Sequence, residues 1–138
     1  MSEGISNKTY LPIKVLTRQD ADNLTGFHIV IPYGYTKIDA DAFSFRKDIT
    51  CVTIPNGVTC IGASAFLGCD NLSSVTIPNS VTRIDERAFS GCFNLENITI
   101  PYGVTSIGKS AFASCFLTSI TIPSSVMVLG KAETATKQ

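Results

Sequence analysis

The sequence predicts one solenoid domain, a right-handed coil of stacked parallel β-strands with little helix. First, an Ile-Pro pair recurs five times, with spacings of 23, 23, 23 and 22 residues, which indicates a repeat architecture. Second, in the last four copies the four residues that end in the Ile alternate between apolar and small polar side chains, as half-buried strands do. Third, 138 residues suffice for one core but hardly for two.

Matched columns follow each Ile-Pro pair. An Ala-Phe pair recurs in four copies, as in Ala65 and Phe66. A cysteine column comes next, with an arginine in the first copy, and its members are Arg46, Cys69, Cys92 and Cys115. The last full copy lacks one residue between Cys115 and Leu117, which explains the spacing of 22. Because several columns match in at least four copies, a chance pattern is excluded.

The shared pattern is Leu-x-x-Ile-x-Ile-Pro-x-x-Val-x-x-Ile-x-x-x-Ala-Phe-x-x-Cys-x-x-Leu, and it covers about residues 27 to 130. It resembles the BspA-like class of leucine-rich repeats, which occurs in bacterial and protist surface proteins. The resemblance implies a leucine-rich repeat solenoid of about 4.5 repeats. It also implies a non-catalytic module for protein contacts such as adhesion. The motif is specific for the fold and unspecific for the ligand.

Each repeat is expected to contain two short extended segments and one turn. In residues 74–77 (Ser-Val-Thr-Ile) the alternation predicts a strand, which the following Pro ends because it has no N–H for the ladder. A second extended segment follows, as in residues 81–84. The stretch before the Ala-Phe pair is too short for a full helix. It predicts a single helical or 3₁₀ turn, capped by Asp39 or Asp85.

Both chain ends depart from the repeat. Residues 1–26 are expected to form an N-terminal cap, because residues 17–22 resemble a capped short helix and solenoids need polar caps. The solenoid is expected over 27–130, and 131–138 is a polar tail. Three alternatives stay open for that end: the native protein continues, two chains pair there, or the charged tail alone blunts the edge.

Composition disfavours several classes of function. Eleven basic residues balance eleven acidic ones, so a nucleic-acid partner is not expected. No apolar run approaches the roughly 18 residues that a membrane span needs, so no membrane insertion is expected. The N-terminus lacks the apolar core of a signal peptide. As it stands the chain is therefore expected in the cytoplasm, whereas a fragment of a longer protein would fit the cell surface or a secreted location.

No enzymatic, cofactor or metal motif is found. The cysteine column is interpreted as buried and apolar, because metal sites need closely spaced or converging ligands. His28 and Cys51 are neighbours in an outward strand column and could form a nucleophile pair. Nothing in the sequence supplies an oxyanion hole or a third group, so catalysis is disfavoured. Whether Cys51 or Cys60 is reactive stays open.

A partner is expected to bind the outward strand face and its rim. Tyr33 and Tyr102 lie three repeats apart on that rim, about 14 Å at the usual strand spacing, and tyrosine is frequent at interfaces. The alternative is that both rings cover a neighbouring turn. The candidate partner-binding residues are Tyr33, Tyr102, Thr53, Thr76, Thr99, Thr121, Asn56 and Asn79. Phe93 and Phe116 are expected to form a second exposed ridge on another side.

Two functions follow from this surface. The first is a non-catalytic, adhesion-like protein-interaction module. The second is a structural spacer or assembly element of a larger protein or particle, which contacts other molecules through its solenoid ends and could self-associate through the C-terminal rung.

Overall fold

The computed structural model describes residues 13–118 and 120–130 together with the backbone of 136–137. The chain order of its elements is β1 (Val15–Leu16), α1 (Arg18–Asp22), β2 (His28–Val30), β3 (Lys37–Ile38), β4 (Cys51–Thr53), β5 (Cys60–Ile61), β6 (Ser74–Thr76), β7 (Arg83–Ile84), β8 (Ser106–Ile107), β9 (Thr121–Ile122), β10 (Val128–Leu129) and β11 (Thr136–Lys137). Every strand pair is parallel and joins successive coils, so the predicted solenoid fold is confirmed.

Two sides of the solenoid are parallel sheets. The long sheet has six strands in the order β1-β3-β5-β7-β8-β10, and the short sheet has three in the order β2-β4-β6. β9 pairs separately with β11. In both sheets the register advances by one repeat, so that Ile38, Ile61 and Ile84 stack in one column. Both predicted extended segments are therefore present, each on its own side.

The third side consists of the Ala-Phe segments, which also bond from one coil to the next. The N–H of Phe43 donates to the carbonyl oxygen of Ala65 at 2.7 Å, and two later copies repeat this bond at the same length. Four buried rings stack in parallel, with centroids 5.1, 5.2 and 5.4 Å apart. These rings belong to Phe43, Phe66, Phe89 and Phe112. Stacked identical side chains thus fill the core of four successive coils.

The single turn that the sequence predicts before each Ala-Phe pair is present and closed by an i→i+3 hydrogen bond, as from the Ala42 N–H to the Asp39 carbonyl oxygen at 3.3 Å, but it contains one residue with left-handed backbone. The residue before each Ala has φ between 56° and 60°, and these residues are Asp41, Ser64, Arg87 and Ser110. Positive φ interrupts a helical turn. It lets the N–H of Asp41 donate to the carbonyl of Ala63 in the next coil at 3.0 Å. The carboxylate of Asp39 accepts only from the adjacent Ala40 N–H, so it caps no helix.

The capped helix predicted near the N-terminus is present. In α1, Thr17 and Asp20 exchange side-chain-to-backbone hydrogen bonds of 3.1 Å, which form a capping box. β1 precedes this helix and pairs with β3, so residues 15–16 already supply a strand of the long sheet. Arg46, which stands where later copies have Cys, donates to the carbonyls of Ala21 and Leu24. The side chain of Arg46 in the first repeat therefore bonds to the last turn of α1 and to the residues that follow it.

The cysteine column is part of the core. Each thiol donates to the carbonyl oxygen of a Phe in the preceding coil, as Cys92 does to Phe66 at 3.2 Å. Cys69 and Cys92 are fully buried, which fits the predicted apolar column. Contact with the thiols of Cys115 and Cys69, together with burial, raises the pKa of the Cys92 thiol. Cys92, in the middle of the column, is therefore a thiol and not a thiolate at neutral pH.

Candidate functional site

The last residue of each strand of the short sheet lies in an outward column, which we call the threonine face. It consists of Val30, Thr53, Thr76, Thr99 and Thr121. Period-two alternation puts these side chains on the solvent side, while their neighbours, such as Val52 and Val75, are buried. Thr53 and Thr76 are paired in register between β4 and β6. Thr99 falls outside any regular strand, and Thr121 belongs to β9.

One residue beyond the Pro of each coil, a second outward column borders this face, and we call it the rim. It consists of Tyr33, Asn56, Asn79, Tyr102 and Ser124, all exposed. Tyr33 is 81% exposed and Tyr102 is 69% exposed, so neither ring is packed over a turn. The Tyr102 hydroxyl lies 2.9 Å from the Ser124 hydroxyl of the next coil. The rim therefore offers two large aromatic surfaces beside amides and hydroxyls.

The threonine face and the rim carry almost no charge. Among Asp, Glu, Lys and Arg, the five stretches of sequence that form them contain a single residue, Glu96. Those stretches are residues 27–35, 50–58, 73–81, 96–104 and 118–126. The other described charges lie on the long sheet, on the third side or around α1, as the ion pairs of Arg83 with Asp85 and of Lys47 with Asp70 illustrate. The face thus suits an uncharged surface or ligand.

His28 and Cys51 are in register between β2 and β4, but their side chains form no nucleophile pair. The Nε2 atom of His28 lies 3.1 Å from Oγ1 of Thr53, so the imidazole is engaged by a hydroxyl. Cys51 is half-buried. Burial raises the pKa of the other unassigned thiol, Cys60, which makes it a poor nucleophile. Among residues 13–118 and 120–130, no group of His, Cys, Asp or Glu could hold a metal ion.

A cleft interrupts the threonine face between the last two coils. Its volume is about 410 Å³, and its lining residues are Asn97, Ile98, Thr99, Ile100, Thr121 and Pro123. Two of these residues, Thr99 and Thr121, are sequence-predicted site residues. Ile98 is only half-buried, whereas its equivalents Val52 and Ile120 are buried. The cleft therefore combines hydroxyl and amide groups with exposed aliphatic surface.

The cleft lies where the strand ladder is broken. Among the described residues, no backbone hydrogen bond joins 97–100 to 74–77 or to 120–123. The neighbouring turn is the one that lacks a residue. There the amide of Asn94 donates to the carbonyl of Asp70 at 2.8 Å, but the next copy has no Asn to continue this ladder. The missing residue is visible in the sequence as the repeat spacing of 22, but that spacing alone did not predict a cleft.

Exposed aromatic side chains occur on the third side as well. Phe93 and Phe116 are exposed as predicted, with centroids 6.2 Å apart. Phe45 is also 63% exposed, which the sequence did not predict. It adopts a left-handed backbone (φ 61°) in the column where later copies have Gly68 and Gly91. Its ring lies so close to Gly68 that a Cβ there would be 2.6 Å from Cδ1 of the ring.

Comparison with known families now assigns this solenoid to a class. A family model for the BspA type leucine-rich repeat region matches residues 20–133 in six copies. This match covers more than half of the chain. The chain therefore belongs to the BspA-type leucine-rich repeat family, whose members generally act as protein-interaction modules. The sequence resemblance is thus confirmed.

Solved structures of bacterial leucine-rich repeat proteins have the same fold. One from Bacteroides ovatus is 36% identical with a TM-score of 0.72, and the match covers 75% of this chain and 30% of that one. The T. pallidum leucine-rich repeat protein is 30% identical with a TM-score of 0.75, covering 76% and 52%. A leucine-rich cell surface protein from Faecalibacterium prausnitzii is 45% identical with a TM-score of 0.60, covering 63% and 23%. The chain thus spans about half or less of these three relatives.

Two further findings are negative. No curated protein is significantly similar to this sequence. In the part of the chain that the structure describes, no helix is long and apolar enough to cross a membrane.

Proposed function

We propose that this chain is a non-catalytic, adhesion-like protein-interaction module that binds its partner through the threonine face and the rim. The observation that carries the proposal is the exposure of Tyr33 and Tyr102 on a face with almost no charge. Depletion of charge with enrichment of tyrosine is the composition of interface centres. Members of this repeat family generally act as protein-interaction modules.

The geometry supports contact with an extended surface. Tyr33 and Tyr102 are separated by three coils, or about 14 Å at the usual strand spacing. Between them lie Asn56 and Asn79, which offer both donors and acceptors. The rings act as anchors with little loss of side-chain entropy, while the amides and threonine hydroxyls supply directional bonds.

A cell-surface location is part of the same proposal. The F. prausnitzii relative is described as a leucine-rich cell surface protein, and its match covers 63% of this chain. An adhesion role requires that the face be accessible to other molecules, and the exposure of its rim meets that requirement. Surface labelling of cells that express the native protein tests the location directly.

The test is affinity capture followed by identification of bound proteins. The folded chain serves as bait beside the double variant Tyr33→Ala/Tyr102→Ala. Because both rings are exposed, the double variant is expected to keep its melting temperature and to lose the partner. Truncation of two anchor residues typically lowers affinity by about 2 kcal/mol or more each.

A matched control removes two exposed rings from another side. The variant Phe93→Ala/Phe116→Ala is expected to capture the same partner as the native chain, because these rings lie outside the threonine face. Equal capture by all three baits would contradict the proposed face. If only the variant Phe93→Ala/Phe116→Ala lost the partner, the binding site would lie on the third side and the proposed face would be wrong.

A second candidate function is assembly through the C-terminal rung. Leu129 is 37% exposed, whereas its four equivalents from Ile38 to Ile107 are fully buried. Met127 and Val128 in the same coil are 83% and 60% exposed. An apolar coil end of this kind fits the structural alternative, in which the chain contacts a second copy or another part of a larger particle.

Sedimentation equilibrium separates this candidate from the first. Assembly predicts concentration-dependent self-association that the variant Leu129→Lys abolishes. A monomer at every concentration would eliminate the contact with a second copy. It would leave the threonine-face proposal unaffected, because that face does not include Leu129.

A further inference from the structure

We propose that the cleft between the last two coils binds a ring of a neutral saccharide. This activity differs from the proposed protein contact and does not depend on it. The cleft volume of about 410 Å³ falls within the range of about 300–1,000 Å³ that is usual for small-molecule sites.

The two ends of the cleft limit what can enter. On one side of it, the N–H of Thr118 donates to the carbonyl of Glu96 at 3.3 Å. On the other side, the hydroxyls of Tyr102 and Ser124 are 2.9 Å apart. The two coils are therefore in hydrogen-bond contact on both sides of the cleft, which leaves no room for another peptide strand between them. A β-strand needs about 4.8 Å of additional separation on each side. The ligand must be compact.

The chemistry of the lining selects a ligand rich in hydroxyl groups. The Asn97 amide and the hydroxyls of Thr99 and Thr121 provide donors and acceptors. The backbone groups of residues 97–100, which bond to no neighbouring strand among the described residues, add more of both. An aliphatic side chain of a protein partner would leave these groups without bonds, which is costly. Each hydroxyl of a sugar ring both donates and accepts.

The apolar part of the lining and the absence of charge complete the match. Ile98 and Pro123, which are half-buried, form an aliphatic surface against which the C–H face of a sugar ring can pack. No acidic or basic side chain lines the cleft, and the charge next to it in the sequence is the carboxylate of Glu96. A neutral saccharide is therefore favoured over an anionic one.

Titration monitored by NMR of the isotope-labelled chain tests the proposal. The probes are glucose, galactose, mannose and N-acetylglucosamine, each up to about 50 mM, which covers millimolar affinities. Binding by at least one probe should shift the amide signals of residues 97–100 and of Thr121. Glucuronate is expected to bind more weakly than glucose, because Glu96 repels its carboxylate.

Paired variants supply the control. Thr99→Val/Thr121→Val removes two hydroxyls inside the cleft and is expected to weaken binding about tenfold or more. Thr53→Val/Thr76→Val makes the same change in the same column outside the cleft and should leave binding unchanged. The melting temperature of each variant shows that it is folded.

Three outcomes would overturn the proposal. The first is that no probe shifts the cleft signals. The second is that both variant pairs weaken binding equally, which would move the site away from the cleft. The third is that N-acetyl-leucine amide shifts the cleft signals while the sugars do not, which would make the cleft a side-chain pocket for a protein partner.

Discussion

The guanidinium group of Arg46 donates a hydrogen bond of 2.9 Å to the carbonyl oxygen of Ala21, the buried residue of helix α1. Arg46 stands in the column that later copies fill with Cys, and it also bonds to Asp48. A residue that departs from the repeat consensus thus connects the repeats to the segment before them.

Replacing Arg46 by the consensus residue, in the variant Arg46→Cys, should destabilise the protein. The substitution removes the guanidinium donor from the carbonyls of Ala21 and Leu24, of which Ala21 keeps the N–H of Leu24, so we expect the free energy of unfolding to fall by about 1.5–3 kcal/mol. Denaturant unfolding measures this change. The control is Arg83→Ser, which removes an exposed pair with Asp85 and should cost less than about 1 kcal/mol. Equal stability of Arg46→Cys and the native chain would contradict the role of Arg46.

Removing a central ring of the phenylalanine stack should be among the most damaging single changes. Phe66 is fully buried between two parallel rings, 5.1 Å from Phe43 and 5.2 Å from Phe89. We therefore expect Phe66→Ala to lower the free energy of unfolding by about 3–5 kcal/mol. Phe116→Ala, at an exposed position, should change it by no more than about 0.5 kcal/mol. Similar losses for the two variants would mean that the stack is not the core.

Alkaline pH should weaken the fold through Cys92. Because the folded-state pKa of this thiol is raised, the unfolded chain releases its proton first as pH increases. The contribution of this thiol to the free energy of unfolding is therefore fully present below its pKa in the unfolded chain, about 8.5. Above that pH the free energy of unfolding decreases, by up to about 1.4 kcal/mol per pH unit for one thiol. Denaturant unfolding at pH 7 to 10 measures the slope. In the variant Cys92→Ala the free energy of unfolding should decrease less steeply with pH than in the native chain. An equally steep decrease in the two proteins would contradict the role of Cys92.

The broken ladder should be visible in hydrogen exchange. The amides of residues 98–100 lack strand partners among the described residues, whereas those of 51–53 are in β4, which pairs with β2 on one side and with β6 on the other. We expect the first group to exchange much faster than the second, because only the second must open bonded structure. Amide-resolved NMR exchange at neutral pH compares the two groups within one sample. Equal protection would mean that the ladder continues through this coil and that the cleft is closed.

The columns of the repeat predicted most of the fold, because each column has one physical role in every coil. Alternating Val and Ile define the strands, Phe fills the core and Pro ends each strand. The sequence could not predict the left-handed turns, because Asp41, Ser64 and Arg87 share no residue type that requires positive φ. Hydrogen bonds to the next coil stabilise that conformation, and such partners are not visible in a local pattern.

Prediction of the candidate site was less complete. Strand alternation and offset from Pro located the threonine face and the rim, and the exposure of Tyr33 and Tyr102 agrees with that location. The cleft was not predicted, although the missing residue before Leu117 marked the coil concerned. A shortened turn changes the packing between two successive coils. That packing depends on contacts between residues about 22 positions apart, which no local motif reveals.

The most direct measurement is hydrogen-deuterium exchange of the chain with and without its captured partner. The account predicts new protection in residues 27–35, 50–58, 73–81 and 96–104, which carry the threonine face and the rim from Val30 to Tyr102, with little change in the Phe93 and Phe116 region. Protection confined to the Phe93 and Phe116 region, or to the coil that contains Leu129, would contradict it.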